Sequence, residues 1–225
     1  MELAQNAGDL LFISLACGNL ADLYLQQGNL EKARPLLERE LEISGRLQFR
    51  FGLAPAWVSM CELYRREGDF AQAEQWLIKS MSVSRDLGLK EQIAFNLYLF
   101  GLLALHRNDY LPAIQYFREY FEFHRALHEK ISLCRFLIGI SAIAGGTDQP
   151  ARCAKLLGAA LMVLESTADF RVDPFDSAEF DRHIQIARGE LGNETFEILS
   201  NEGRRLTKEE ATELATKTKM INISP

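Results

Sequence analysis

Hydrophobic and polar positions along the chain repeat with a period of forty residues. The segment YLQQGNLEKA at residues 24–33 recurs as YRREGDFAQA at 64–73 and, more loosely, as ALHRNDYLPA at 104–113. A further step of forty residues reaches AGGTDQPARC at 144–153, where a small residue again ends the segment. Periods of roughly 20 to 50 residues are typical of repeat proteins, so the sequence predicts four repeat units over about residues 10–170.

Each unit has the pattern of two helices joined by a tight turn. The first turn residue tolerates a left-handed helix end, and the second usually suits the N-cap of the next helix. The turn pairs are Gly28-Asn29, Gly68-Asp69, Asn108-Asp109 and Asp148-Gln149. Pro150 suits the first turn of the helix that follows the last pair.

Large apolar residues recur in register on both helices of the unit. Before the turn they are Leu20, Met60, Phe100 and Ile140, followed three residues later by Leu23, Leu63, Leu103 and Ile143. After the turn they are Leu37, Leu77, Phe117 and Leu157, and then Ile43, Val83, Phe123 and Val163. Spacing of this kind places apolar residues on one helical face, so each helix is predicted to bury a stripe. Small residues that would let paired helices approach closely are Ala33, Ala73, Ala113 and Cys153.

The two ends of the chain depart from the regular unit. Counted backwards, the period places a turn at Gly8-Asp9. Residues 1–170 are therefore predicted to hold four repeats preceded by the tail of a truncated repeat. Such a start is expected for a piece of a longer protein. Residues 171–219 are predicted to form three short capping helices, and residues 220–225 a disordered tail. The helix starts are expected at Asp176 or Ser177, at Asn193, and at a capping box of Thr207 and Glu210.

Composition and charge narrow the class of protein. Of 225 residues, 48% are hydrophobic and 25% are charged, which describes a soluble globular chain and excludes disorder. The net charge of −6, with no block of five basic residues, argues against direct nucleic-acid binding. The longest stretch without a formal charge, residues 92–106, is shorter than the roughly 20 residues of a membrane span.

The N-terminus and the cysteines favour a cytoplasmic protein without disulfides. The N-terminus lacks a basic region followed by an apolar core, so no secretory signal is visible and no membrane association is expected. The four cysteines are widely spaced and never form a C-x-x-C pair, so we expect small core residues rather than metal ligands. They are Cys17, Cys61, Cys134 and Cys153.

Two stretches resemble the tetratricopeptide repeat, with a lengthened second helix, in their order of small and large residues: Leu23-Tyr24 with Gly28 and Ala33, and Leu63-Tyr64 with Gly68 and Ala73. The resemblance covers residues 1–170 and implies an all-α fold, a right-handed superhelix of helix-turn-helix units closed by a helical cap. Further segments are similar to the ends of LuxR-type regulators and of STAND signal-transduction ATPases of the maltose-regulon-activator kind: QPARCAKLLGAA at 149–160, then residues 173–174, 187–196 and 202–211.

In those families a nucleotide-hydrolysing domain precedes the repeats, and a DNA-binding helix-turn-helix sometimes follows them. No G-x-x-x-x-G-K-[ST] loop occurs in the 225 residues, so the ATPase activity does not carry over to this chain. The last residues are too short for a DNA-reading module. The resemblance therefore implies the sensor and interaction part of a larger bacterial transcription regulator or signal-transduction ATPase, and the alternative is a free-standing scaffold or adaptor with no linked ATPase.

In a tetratricopeptide array the first helix of each unit lines the concave surface where partners bind. Matched residue by residue, the exposed positions there hold Asp22 and Gln26, then Glu62, Arg65 and Arg66, then Tyr98 and His106, and finally Arg135. Two arginines and a tyrosine would suit a partner with carboxylates or aromatic groups. The alternative is that these are solvated helix positions with local ion pairs. The partner expected in the groove is a peptide, a protein segment or a small effector.

Patterns for catalysis or metal binding are weak. His124 and His128 have the spacing of a two-histidine metal grip, but the sequence places no third ligand. No G-x-S-x-G, H-E-x-x-H or glycine-rich phosphate loop is present. We therefore expect a non-catalytic interaction domain without a metal or cofactor. A truncated first repeat would also leave an apolar patch of Leu10, Phe12 and Ile13, with Leu3 nearby, so self-association through the N-terminal helices is expected.

Overall fold

The computed structural model describes residues 2–126, 129–166 and 173–217, and eleven α-helices lie within these ranges. The first eight are α1 (Glu2–Gln26), α2 (Leu30–Arg46), α3 (Arg50–Glu67), α4 (Phe70–Leu87), α5 (Lys90–His106), α6 (Tyr110–His124), α7 (Glu129–Gly145) and α8 (Pro150–Glu165). The last three are α9 (Pro174–Leu191), α10 (Asn193–Gly203) and α11 (Lys208–Thr216). The described ranges contain no β-strand, and the expected all-α repeat fold is confirmed.

The chain divides into two compact units, residues 1–99 and residues 100–225, called unit 1 and unit 2 below. The boundary falls within α5. In unit 1, side chains of α1, α2 and α3 form a common apolar core. Its buried members are Ala21, Leu25, Ala33, Leu37, Met60 and Leu63.

The turn inside each helix pair has the predicted left-handed residue. These residues are Gly28, Gly68, Asn108 and Asp148, with φ of 71°, 83°, 59° and 56°. The residue that follows caps the second helix in the first two pairs, where the side chains of Asn29 and Asp69 accept the backbone N–H three residues ahead. Asp109 and Gln149 make no such bond, so the side-chain cap is confirmed in only half of the pairs.

The small residues of the repeat lie where helices cross closely. Those that follow the turn are fully buried: Ala33, Ala73, Ala113 and Cys153. In unit 2 the ring of Phe117 lies against two glycines, since a Cβ atom would approach the ring to 2.7 Å at Gly101 and 2.9 Å at Gly139. The ring of Phe117 therefore occupies the space that the missing side chains of Gly101 and Gly139 leave.

The predicted apolar stripe is wrong for the first helix. Leu20 and Leu23 are 41% and 53% exposed, although their repeat equivalents Met60 and Leu63 are buried. Met60 and Leu63 pack into the core formed with α1 and α2. The part of the chain that the structure describes has no helix before α1 to cover the same face of α1.

The stripe on the second helices is only partly confirmed. Most of its positions are buried, but Phe123 is 37% exposed and two others are half-buried, namely Val83 and Leu157. The next residue along the helix faces the core in two of these cases, Ser84 and His124. Towards the ends of α4 and α6, the buried positions are therefore shifted by one residue along the helix.

The turn predicted at Gly8-Asp9 is wrong. α1 runs without a break from Glu2 to Gln26, and Gly8 does not have a left-handed backbone. A glycine inside a helix costs only about 1 kcal/mol relative to alanine, which the rest of a long helix readily offsets. The assignment of residues 2–7 to a truncated repeat stays a prediction, and the tail predicted at residues 220–225 lies outside the described residues.

Three helices follow α8 as the sequence predicts, but two of them begin elsewhere. α9 begins at Pro174 rather than at Asp176 or Ser177. The N-cap of α10 is Gly192, which adopts φ 76° and so leaves Asn193 as the first helical residue. The capping box of Thr207 and Glu210 at the start of α11 is confirmed, as is the start of α8 at Pro150.

The cysteines are free thiols and differ in burial. Cys61, Cys134 and Cys153 are buried as expected, whereas Cys17 is half-buried. Burial raises the pKa of Cys134 to about 12 and that of Cys153 to about 11. Both therefore remain protonated at neutral pH and act as small core residues.

Candidate partner-binding site

The predicted groove residues are divided between the two units. Unit 1 holds Asp22 and Gln26 on α1, Glu62, Arg65 and Arg66 on α3, and Tyr98 on α5. Unit 2 holds His106 at the end of α5 and Arg135 on α7.

The expected exposure holds for only some of these residues. Asp22 and Gln26 are exposed, and Glu62 and Arg66 are half-buried. Arg65 and Tyr98 are only 3% and 2% exposed, so their prediction as exposed groove positions is wrong. The Tyr98 ring stacks beside that of Phe95, with 6.3 Å between ring centroids.

Glu62 engages both arginines of α3. Arg65 donates from Nε to Oε1 of Glu62 at 3.2 Å and from Nη2 to Oε2 at 2.7 Å. Arg66 forms a second ion pair with the same carboxylate, with Nε 3.6 Å from Oε2. Residues three and four positions apart share one helical face, and a forked arginine–carboxylate pair is among the stronger charge-assisted contacts. The expectation of two arginines available to a partner's carboxylate is therefore wrong for Arg65.

Asp22 connects the first helices of two successive repeats. The hydroxyl of Ser59 on α3 donates to Oδ1 of Asp22 on α1 at 2.8 Å. Burial of the carboxyl group raises the pKa of Asp22, and the hydrogen bond from Ser59 opposes this shift. Within the described residues, the hydrogen-bond partner of this carboxyl is thus a neutral hydroxyl.

Glu40 on α2 is a site residue that the sequence reasoning missed. It is 7% exposed, and its Oε2 has no hydrogen-bond partner among the described residues. Its carboxyl lies against Gly18, where a Cβ atom would stand 2.5 Å from Oε1. Burial and the nearby charge of Asp22 raise the pKa of Glu40 to about 7. The carboxyl groups of Asp22 on α1 and Glu40 on α2 therefore lie close together.

The repeat register contained a signal for Glu40. The equivalent positions in the other three repeats hold uncharged residues that are also buried: Ser80, Tyr120 and Ala160. A single carboxylate in a register of buried neutral residues marks a polar function or an unusual pKa. Ser59 had no comparable signal, because hydroxyl residues are common at half-buried helix positions.

His106 is tied to the C-terminal helices in unit 2. Its Nδ1 lies 3.2 Å from Oε2 of Glu179 on α9, and Arg182 donates to Oε1 of the same carboxylate at 2.8 Å. Burial acts to raise the pKa of Glu179, but hydrogen bonds from His183, His106 and Arg182 outweigh it and lower the pKa to about 2. His106 therefore helps α9 to dock.

Arg135 also faces a neighbour inside unit 2. Burial raises the pKa of Tyr120 on α6, and the positive charge of Arg135 opposes that shift. Arg135 is half-buried. Its interaction with Tyr120 connects α6 to α7, which is a structural role beside any role in binding.

The histidine pair is only partly within the described residues. His124 is buried, lies 2.9 Å from the hydroxyl of Ser132 and stacks on Tyr120. His128 lies outside the described residues. Among the residues that the structure describes, no group of three or more His, Cys, Asp or Glu side chains is placed to hold a metal ion.

One stretch of α1 is long and apolar enough to cross a membrane by length and composition, namely Gly8–Gln26. Its inner side buries Ala21 and Leu25 in the core with α2 and α3. Core helices of soluble proteins pass the same test, so the stretch alone is weak support for a span.

Two family models of the tetratricopeptide repeat match the chain, one over residues 16–50 and the other over residues 52–126. The chain therefore contains tetratricopeptide repeats from α1 through α6, which confirms the resemblance over that part. No curated protein matches the chain. The tetratricopeptide repeat is generally a non-catalytic module that binds proteins or peptides, so these residues form an interaction domain of that kind.

Proposed function

We propose that this interaction domain binds a protein segment or peptide on the exposed side of α1 and α3, called the α1–α3 surface and formed by Asp22, Gln26, Glu62 and Arg66. We further propose that the domain is the cytoplasmic sensor or interaction part of a larger bacterial transcription regulator or signal-transduction ATPase. The family matches support the first proposal. The similarity of residues 149–160, 173–174, 187–196 and 202–211 to the ends of such regulators supports the second.

The hydrogen bond between Ser59 and Asp22 carries the proposal for the α1–α3 surface. It connects two successive first helices and holds a carboxylate at the exposed edge, with Gln26 one turn further along α1. Extended surfaces made from equivalent helices of neighbouring repeats are what solenoid proteins use for recognition. Glu62 and Arg66, one repeat later, continue the same polar row.

Site-specific photocrosslinking tests the location of the surface. A photoreactive amino acid at Gln26 should capture a partner in cells, and one at Ile78 on α4 should not. Ile78 is a matched control because it is 49% exposed on a second helix. The captured protein is then purified and its binding to the chain is measured directly. Equal capture from both positions would contradict the proposal.

Arg66→Ala tests whether the surface contributes to affinity. Arg66 reaches Glu62 at 3.6 Å and remains half-buried, so its removal should weaken binding of the purified partner about ten-fold or more without unfolding the domain. Arg65→Ala is unsuitable, because Arg65 is only 3% exposed and makes two hydrogen bonds to Glu62, so its loss would disturb the packing of α3 itself. Unchanged affinity of Arg66→Ala in calorimetry, with an unchanged circular dichroism spectrum, would refute a role for this residue.

The alternative function is a free-standing scaffold or adaptor. The two functions predict different gene sequences on the N-terminal side of residue 1. A phosphate-binding G-x-x-x-x-G-K-[ST] loop encoded there would exclude the scaffold, because that loop marks a nucleotide-hydrolysing domain. A stop codon in frame directly upstream would exclude the linked ATPase.

We also propose that the chain self-associates through α1. Four large apolar side chains on α1, Phe12, Ile13, Leu20 and Leu23, are between 41% and 73% exposed and fall within about one third of the helix circumference. The equivalent face of α3 packs against helices of the preceding repeat, which supports the proposal that the α1 face has a partner of the same kind.

Leu23→Glu should weaken this association, because a charge in an apolar contact is costly to bury. Sedimentation velocity at several concentrations measures the effect, and Ile78→Glu on α4 is the control for a charge at another exposed apolar position. A wild-type chain that stays monomeric at millimolar concentration would refute the proposal.

A further inference from the structure

Among the described residues, some carboxylates of unit 1 form an ion pair with a cationic side chain, and others do not. Several carboxylates form ion pairs with arginine, including Glu62 with Arg65 at 2.7 Å and Asp86 with Arg50 at 2.9 Å. Asp22 and Glu40 form no ion pair within 4 Å among the described residues. Within the described part of the chain, Asp22 and Glu40 therefore lack a cationic partner, and their carboxyl groups lie close together.

Glu40 is unusual because it is buried without compensation. Only 7% of the residue is exposed, and Oε2 has no hydrogen-bond partner in the described part of the chain. A buried carboxylate ordinarily has a cation or several hydrogen-bond donors around it, since removing its hydration is costly. Among the described residues Glu40 has neither, and the raised pKa follows from this geometry. The described part of the chain therefore places no positive group at this location.

The location lies between α1 and α2. Gly18 on α1 has no side chain, so the Glu40 carboxyl rests directly on the α1 backbone. Asp22 is one helical turn further along α1 and is exposed. Ser59 of α3 holds the Asp22 carboxyl at 2.8 Å. Asp22 is therefore the carboxyl that a docking group can reach from solvent, and Glu40 is the buried one beside it.

We propose that Asp22 and Glu40 form a binding site for a cationic side chain, a lysine ammonium or an arginine guanidinium, of the segment that docks on the α1–α3 surface. This inference rests on the proposed function. The cation supplies the charge that both carboxylates lack and donates hydrogen bonds to them. The sequence suggested a partner with carboxylates, whereas this site would bind a positively charged partner group. The difference arises because Glu62 engages the arginines of α3.

The site is suited to an organic cation rather than to a metal ion. Calcium requires six to eight oxygen ligands, and magnesium retains most of its water when only one or two carboxylates bind it. The described residues offer no third acidic or imidazole ligand at this location. An ammonium or guanidinium group needs only two acceptors and carries its own apolar stem.

Nuclear magnetic resonance with small probes tests the inference on the full chain. The probe is N-acetyl-lysine amide, and its control is N-acetyl-norleucine amide, which has nearly the same shape without the charge. At pH 6.5 the lysine probe should shift the side-chain carboxyl ¹³C resonance of Glu40 downfield, because a bound cation favours the ionised carboxylate, and should perturb that of Asp22, both saturably. The norleucine probe should leave them unchanged.

Two isosteric variants and one control locate the effect. Asp22→Asn and Glu40→Gln should each weaken binding of the lysine probe about ten-fold, as expected for a hydrogen bond to a charged group. Glu38→Gln should leave it unchanged, since Glu38 lies on the solvent side of α2 with a 60% exposed side chain. Equal shifts with the norleucine probe, no saturable shift with the lysine probe, or full binding to Asp22→Asn would each overturn the inference.

This outcome is separable from that of the proposed function. If the lysine probe does not bind but Arg66→Ala weakens binding of the crosslinked partner, the α1–α3 surface stands and the cation site is refuted. If the lysine probe binds at Asp22 and Glu40 but Gln26 crosslinks no partner, the cation site stands and the location of the partner surface is refuted.

Discussion

Glu40→Gln should change how the stability of unit 1 depends on pH. The carboxyl is buried against Gly18 without a hydrogen bond to Oε2 among the described residues, so its ionised form is disfavoured in the folded state. Glutamine has the same size and cannot ionise. The substitution therefore removes the charge and leaves the packing between α1 and α2 largely intact.

The magnitude follows from the pKa of Glu40, which is raised from 4.5 to about 7. The folded state binds more protons than the unfolded state between these values, so the free energy of unfolding falls as pH rises through this window. Each pKa unit corresponds to 1.36 kcal/mol, which makes the full loss about 3 kcal/mol above pH 7. At pH 5 the wild type and Glu40→Gln should have similar stability, and at pH 8.5 the variant should be the more stable by up to that amount.

Tryptophan fluorescence during urea unfolding measures this difference selectively. Both tryptophans of the chain, Trp57 and Trp76, lie in unit 1, whereas all four histidines lie in residues 100–225. Titration of histidine between pH 5 and 8 therefore does not enter the unit 1 signal directly. The free energy of unfolding is extrapolated to water at each pH for the wild type, Glu40→Gln and the exposed control Glu38→Gln.

Parallel curves for the wild type and Glu40→Gln from pH 5 to 8.5 would refute this reasoning. They would mean that the Glu40 carboxyl ionises as easily in the folded chain as in the unfolded one. A pH dependence that Glu38→Gln removes as well would place the effect in the general charge of α2 rather than in the buried carboxyl.

Three further substitutions test contacts elsewhere in the chain, with thermal unfolding followed by circular dichroism as the measurement. Gly158→Ala should destabilise unit 2 by about 1–3 kcal/mol, because the added Cβ would overlap the backbone carbonyl of Ser200, whereas Gly189→Ala, which meets open space, should be neutral or stabilising. Glu179→Gln should cost about 2 kcal/mol at pH 7, and the difference should shrink as pH falls from 4.5 towards 2, because a lowered pKa stabilises the fold only where the carboxyl is ionised. Asp69→Ala should cost about 1 kcal/mol, since the cap on α4 is lost, and a change below 0.3 kcal/mol would contradict that role.

Local features of the fold were predictable because they depend on a few neighbouring residues. A left-handed backbone at Gly68 and at Asn108 follows from the small set of residues that tolerate it, and the forty-residue spacing gives the phase. The capping box at Thr207 is equally local. The break expected at Gly8 failed because a glycine permits a helix end without requiring one, and nothing else near Gly8 stops α1.

Burial of the predicted site was harder to predict, because it depends on which neighbours cover each face. Leu23 and Leu63 occupy equivalent positions, yet only Leu63 has a preceding helix pair against it. Tyr98 matches an exposed position of the repeat, but the long side chain turns inward and stacks on Phe95. Repeat register fixes where a Cα lies on its helix. It does not determine the direction of a large side chain.

The charge of the α1–α3 surface was, in contrast, within reach of the sequence. Glu62 precedes Arg65 and Arg66 by three and four residues, the spacing at which helical side chains of opposite charge pair. The single carboxylate of Glu62 holds both arginines and balances one of their two charges. Asp22 and Glu40 have no ion pair among the described residues, so we expect a partner segment to present lysine or arginine at this point rather than a carboxylate.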